Sequence, residues 1–142
     1  MPESGLMFWA ERGKGAYMNG KKIGVSDKSE LLKCVVGIDV GYVGSRKGEI
    51  ERFLAPVADK VRYMPMLGSA CVGAAYVAGH FLDGYMHSAH LWDYVAGGLI
   101  IEEAGGMVTD YQGKPIDWSK DWIDFFASNG RIHKEILSLI KV

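Results

Sequence analysis

The sequence predicts a layered α/β fold, and three observations lead there. Short β-rich segments alternate along the chain with segments of helical periodicity. Hydrophobic residues make up 49 % of 142 residues, enough for one core in a chain of single-domain size. The 19 glycines mostly stand beside apolar residues, which suits tight turns and close backbone packing. No internal repeat or low-complexity segment is present.

Residues 6–10 and 15–18 read as short strands. The polar turn Glu11-Arg12-Gly13-Lys14 joins them into a hairpin. Asn19-Gly20 is a strong turn signal and leads to Lys21-Lys22-Ile23. Residues 32–40 are β-rich and largely apolar, as in a buried strand, and Gly41, Gly44, Ser45 and Gly48 then mark a loop. Over residues 49–60, Ile50, Phe53, Leu54 and Val57 fall at helical spacing, with Val61 continuing it. Pro56 makes a defect in that helix or delays its start. Residues 61–64 form a short strand.

Ser69 caps a helix of small apolar residues, 70–78, and Gly79 stops it. So many Ala and Gly residues allow very close packing. Residues 81–86 read as turn then strand, and 93–104 as a second buried helix ended by Gly105-Gly106. Residues 107–111 form a strand, Gln112-Gly113-Lys114-Pro115 a turn, and 125–128 another strand. After the Asn129-Gly130 turn, residues 132–140 form the last helix.

A net charge of −1 gives no pull toward nucleic acid or a membrane surface. The longest apolar runs, such as 99–101 and 125–127, are far too short to span a bilayer. Met1-Pro2-Glu3-Ser4-Gly5 lacks the basic and apolar regions of a signal peptide. Cys34 and Cys71 lie in apolar or small-residue surroundings, so free buried thiols and a cytoplasmic location are expected. The partner expected is a small molecule.

Trp92-Asp93 carries the strongest chemical signal. It places a carboxylate where an apolar helix begins. A helix start favours anions, through unpaired N–H groups and a positive dipole end. An Asp beside it is either a helix cap or a ligand for a hard cation such as Mg²⁺. Gly68-Ser69-Ala70 begins another helix. Its backbone N–H groups either approach a phosphate or sugar oxygen or simply make a cap. Asp83 before Gly84 reads as a turn residue. His87, His90 and Asp93 are three apart, but the spacing matches no common zinc motif. Of Glu102 and Glu103, one is expected to face solvent and the other to be paired. Trp92, Met86 and Met107 read as packing residues, and His80 and His133 as solvated or core-edge histidines.

These residues fall into a pattern. The run Gly68-Ser69-Ala70, Val77-Ala78-Gly79, Leu82-Asp83-Gly84-Tyr85, Trp92-Asp93, Ala96-Gly97 and Ile101-Glu102-Glu103-Ala104-Gly105-Gly106 resembles the C-terminal signature of inositol monophosphatases and their sugar-phosphatase relatives. The segment from Phe8 to Lys21 and the ending Ala127-Ser128-Asn129-Gly130 resemble that family as well. The resemblance implies the C-terminal part of a five-layer αβαβα sugar-phosphatase fold. Residues 1–26 would complete the N-terminal sheet. Residues 27–142 would form the C-terminal α/β domain carrying the Trp-Asp motif.

The activity implied is Mg²⁺-dependent hydrolysis of a small phosphate monoester, by two-metal in-line chemistry. Asp93 corresponds to the family's C-terminal metal-binding Asp, and Gly68, Ser69 and Ala70 to the loop that contacts substrate. The family's other metal ligands, an N-terminal Glu and an Asp-Pro-x-Asp-Gly-Thr motif, have no counterpart in this chain. Inositol-specific members often carry a Glu seven residues before the metal Asp, contacting a substrate hydroxyl. Met86 stands there and is a poor acceptor. Fructose bisphosphate, another sugar phosphate or a nucleotide-type substrate fits the resemblance equally. A missing N-terminal half or a homo-oligomeric partner is expected, because a lone hairpin is marginally stable. The rival readings are a truncated, non-catalytic interaction or oligomerisation module and, more distantly, a zinc hydrolase.

Overall fold

The computed structural model describes residues 1–41 and 43–141. Its elements stack in layers, as the alternation requires. The first layer is an antiparallel sheet of β1 (Phe8–Glu11), β2 (Gly15–Met18) and β3 (Lys21–Ile23), in that order. The next holds helices α3 (Ala70–Ala78) and α4 (Leu91–Glu103), which pack on each other. Beyond them lies a mixed sheet of β4 (Val36–Ile38), β5 (Gly84–His90), β7 (Trp122–Ser128) and β6 (Met107–Thr109), in that spatial order. β4 runs parallel to β5, and the other pairs are antiparallel. The last layer comprises α1 (Arg46–Glu49), α2 (Ala55–Ala58) and α5 (His133–Leu139).

Strand alternation divides the apolar residues of the mixed sheet between two cores. Tyr85, Ala89, Ile123, Phe125 and Ala127 face α3 and α4. Met86 and Phe126 face the other way, onto Phe53, Val57, Ile132 and Ile136. The small residues of the helix pair have a geometric reason. A Cβ on Gly97 would lie 2.6 Å from the Cβ of Ala74, and one on Gly73 would lie 2.4 Å from the Tyr85 ring.

Several boundaries differ from the sequence expectation. The strand expected over 32–40 shrinks to β4, because Leu31–Lys33 coil into a 3₁₀ turn that buries Leu31 and exposes Leu32. Residues 61–64 make one bridge, Val35 to Tyr63, rather than a strand. Pro65 follows with no N–H to donate. Gly48 lies inside α1, not in a loop.

Pro56 leaves a clear signature. The helical run continues through it by widening into a π turn over Ile50–Leu54, where Ala55 N–H reaches back to Ile50 C=O. The missing Pro56 N–H leaves the Arg52 carbonyl to accept instead from Lys141 N–H, at 3.0 Å.

β5 extends to His90 and β7 starts at Trp122, longer than their apolar patterns indicate. Helix α4 begins at Leu91, so Asp93 lies in its first turn rather than at its cap.

Candidate active site

A cavity of about 490 Å³ opens where the starts of α3 and α4 meet the ends of β4 and β5. Gly68, Ser69 and Ala70 line it from α3, Asp93 from α4, and Asp39 and His87 from the strands. The structure therefore brings together all four residues selected from the sequence. Ser69 caps α3 as expected, its Oγ accepting from Val72 N–H at 3.5 Å. Gly68 has φ +65°, a left-handed conformation that suits glycine at this turn.

The two carboxylates of the cavity differ sharply. Asp39 is buried, and both its oxygens are taken: Oδ1 accepts from Leu67 N–H at 2.7 Å and Oδ2 from Tyr85 O–H at 2.6 Å. Burial, and then the bond to Asp39, push the Tyr85 phenol well above its ordinary pKa, so it remains a donor. Asp93 is half-buried, and its carboxylate accepts no hydrogen bond from a described residue. An uncommitted carboxylate in the first turn of a 13-residue helix fits one ligand position of a hard cation. Among the described residues, no group of three or more His, Cys, Asp or Glu is placed to hold a metal. His87 Nδ1 bonds the Asp39 carbonyl at 3.1 Å, whereas His90 stacks on Trp92 with ring centroids 4.3 Å apart.

Several expected roles are overturned. Met86 is the packing residue expected, fully buried in the second core, and what falls is its place beside a substrate hydroxyl. It cannot meet a substrate, because strand alternation turns it to the far face of the sheet and gives the cavity to His87. Trp92 is 69 % exposed, no packing anchor, and Met107 is also exposed. Cys71 is exposed at the cavity, its Sγ 3.4 Å from the Asp93 carbonyl. Cys34 is the buried thiol expected, its pKa pushed up to about 11 by burial.

Asp83 is a buried hub rather than a simple turn residue. Its carboxylate accepts from Ser26 Oγ, from Lys28 Nζ at 2.9 Å and from Val35 N–H at 2.7 Å. Glu103 is the paired glutamate, accepting from Gly13 N–H at 2.7 Å and Gly15 N–H at 2.8 Å, and Glu102 faces solvent. His133 is buried between Ser128 Oγ at 2.8 Å and Thr109 Oγ1 at 2.9 Å. Burial lowers its pKa to about 4.

Sequence reasoning passed over Asp39 and Tyr85 as site residues and weighed His87 only as a zinc ligand. Asp39 did leave a signal, a charge at the carboxyl end of an apolar strand, where α/β sheets place ligands. Tyr85 left none, and the spacing of His87 said nothing of this role, since their partners are 46 and 48 residues away.

A family model described as the inositol monophosphatase family matches residues 1–141. A Thermotoga maritima protein named fructose-1,6-bisphosphatase/inositol-1-monophosphatase is 38 % identical over 135 residues, covering 94 % of this chain and 50 % of its own length. Human inositol monophosphatase 1 is 33 % identical over 137 residues, 92 % of this chain and 48 % of that protein. The solved structure of extragenic suppressor protein suhB from Bartonella henselae superposes with a TM-score of 0.91 at 31 % identity, over 99 % of this chain and 54 % of that one. The chain thus spans about half the length of the curated relatives it matches.

Proposed function

This chain belongs to the inositol monophosphatase family, a family of phosphomonoester hydrolases, and we propose that it supplies the C-terminal wall of a Mg²⁺-dependent active site that hydrolyses a small phosphate monoester. The substrate is an inositol phosphate or a sugar phosphate such as fructose bisphosphate, in line with the names of the relatives. One observation carries the reading. The uncommitted Asp93 carboxylate and the Gly68-Ser69-Ala70 start of a second helix open onto one cavity.

In this reading Asp93 holds Mg²⁺. An ion held there would supply water activation and stabilisation of the leaving oxygen. The backbone N–H groups at the start of α3 donate to oxygens of the substrate and orient it against Asp93. Residues 1–26 extend the sheet of an N-terminal half that brings further carboxylates.

A second reading, a non-catalytic interaction or oligomerisation module, draws on the single uncommitted carboxylate. Mg²⁺ with one protein carboxylate is held weakly until phosphate oxygens or further ligands join it. The test is to join the chain to an N-terminal half carrying the Glu and Asp-Pro-x-Asp-Gly-Thr ligands. Phosphatase activity on inositol 1-phosphate and fructose 1,6-bisphosphate is then assayed with and without Mg²⁺. The enzyme reading expects Mg²⁺-dependent turnover. A folded but inactive fusion supports the module.

A further inference from the structure

The polar groups of the cavity separate into those already bonded and those left open. Asp39 has both carboxylate oxygens occupied. Ser88 Oγ is held by Tyr111 and Asp124, and Ser69 Oγ caps α3. His87 is half bonded. Its Nδ1 lies 3.1 Å from the Asp39 carbonyl, and Nε2 has no partner among the described residues.

The Asp39 carbonyl can only accept, so Nδ1 must carry the hydrogen. In the neutral ring Nε2 is then an open acceptor. Its anchor is stiff. Asp39 N–H bonds Met86 C=O at 3.1 Å, continuing the parallel ladder of β4 on β5, and Leu67 N–H and Tyr85 O–H clamp its carboxylate. The charges lining the cavity, Asp39 and Asp93 against Arg46, do not favour an anion beside this nitrogen.

We propose that Tyr85 and Asp39 are positioning residues that fix the His87 imidazole as its Nδ1–H tautomer, and that His87 Nε2 accepts a hydrogen bond from a hydroxyl on the carbon skeleton of the substrate. The ligand class is a phosphorylated polyol or sugar, rather than an ester whose organic group lacks hydroxyls. The inference rests on the reading of this cavity as a phosphate-ester site.

The test uses the chain joined to an N-terminal half carrying the Glu and Asp-Pro-x-Asp-Gly-Thr ligands, at pH 8 in Mg²⁺, with myo-inositol 1-phosphate and inorganic phosphate as millimolar probes. The imidazole ¹⁵N resonances of His87 are assigned by their loss in His87→Leu. Myo-inositol 1-phosphate should move the Nε2 resonance while Nδ1 stays protonated. His87→Leu should weaken myo-inositol 1-phosphate binding about tenfold, as for one lost hydrogen bond, and leave inorganic phosphate unchanged. His87→Gln should recover most of the loss. Tyr85→Phe should mix the two His87 tautomers and weaken only the inositol ester.

A silent Nε2 with phosphate still bound, or equal weakening of both probes in His87→Leu, overturns this proposal alone. A responding Nε2 without binding of inorganic phosphate overturns the phosphate-site reading alone. Failure of both probes to bind overturns both.

Discussion

Two side chains show how environment sets the role of a residue. Asp93 is open where Asp39 is saturated, which makes Asp93 the metal candidate. Asp93→Asn in the completed enzyme should leave the fold intact and lower Mg²⁺-dependent kcat at least about 10–100-fold, the cost typical of outer-shell changes alone. Steady-state turnover at saturating Mg²⁺ checks this, and near-normal kcat would remove Asp93 from the site.

His133 is the second case. Gly130 N–H donates to Ser128 Oγ, and Thr109 O–H donates to the Asp110 carbonyl. That leaves Ser128 O–H to donate to Nδ1, and Nε2–H to donate to Thr109 Oγ1. Every donor of the neutral ring is used, and a second ring proton would meet a donor. Between its ordinary 6.5 and about 4 the unfolded chain therefore binds a proton that the native state refuses. This stability is complete above pH 6.5 and is lost as pH falls toward 4. It amounts to on the order of 3 kcal/mol at ~1.4 kcal/mol per pKa unit. The fall in denaturant midpoint from pH 7 to pH 5 should be smaller in His133→Asn than in the parent chain. Parallel pH slopes would show that His133 is not the group responsible.

At the scale of elements, close approach decides which glycines matter. Gly73 in α3 lies against the ring of Tyr85, and that ring is held by its bond to Asp39. Gly73→Ala should destabilise by ~1–3 kcal/mol, the usual cost of overpacking. Gly48 in α1 has open space where a Cβ would go. Gly48→Ala should stabilise by ~0.5–1 kcal/mol through helix propensity and reduced unfolded-state entropy. Urea titrations of the two variants should move in opposite directions. A neutral Gly73→Ala would mean that α3 can withdraw from the sheet.

At the scale of the whole molecule, the three-stranded sheet is the exposed flank. β1 and β3 are its edge strands, and Trp9 and Met7 on the β1 side are exposed. Unpaired strand edges template association. The chain on its own should therefore form dimers, larger assemblies or aggregates, with negligible phosphatase turnover. Light scattering over a concentration series checks this, and a monodisperse monomer with full turnover would contradict both parts. Among the described residues, no helix is long and apolar enough to cross a membrane.

The sequence by itself determined what depends on local periodicity and turn chemistry. The β1–β2 hairpin, the Ser69 cap, the α3 limits and the Gly105-Gly106 stop were legible because neighbouring residues specify them. The place of Asp93 and Gly68-Ser69-Ala70 on one cavity followed from motif resemblance, since no local pattern links residues 24 apart. Tertiary structure alone decided the rest. It turned Met86 into the core and His87 into the cavity, because a strand's facing depends on which sheet face each core covers. It also made Asp83 a hub and left Trp92 exposed, because burial and hydrogen-bond partners come from segments brought together only by folding.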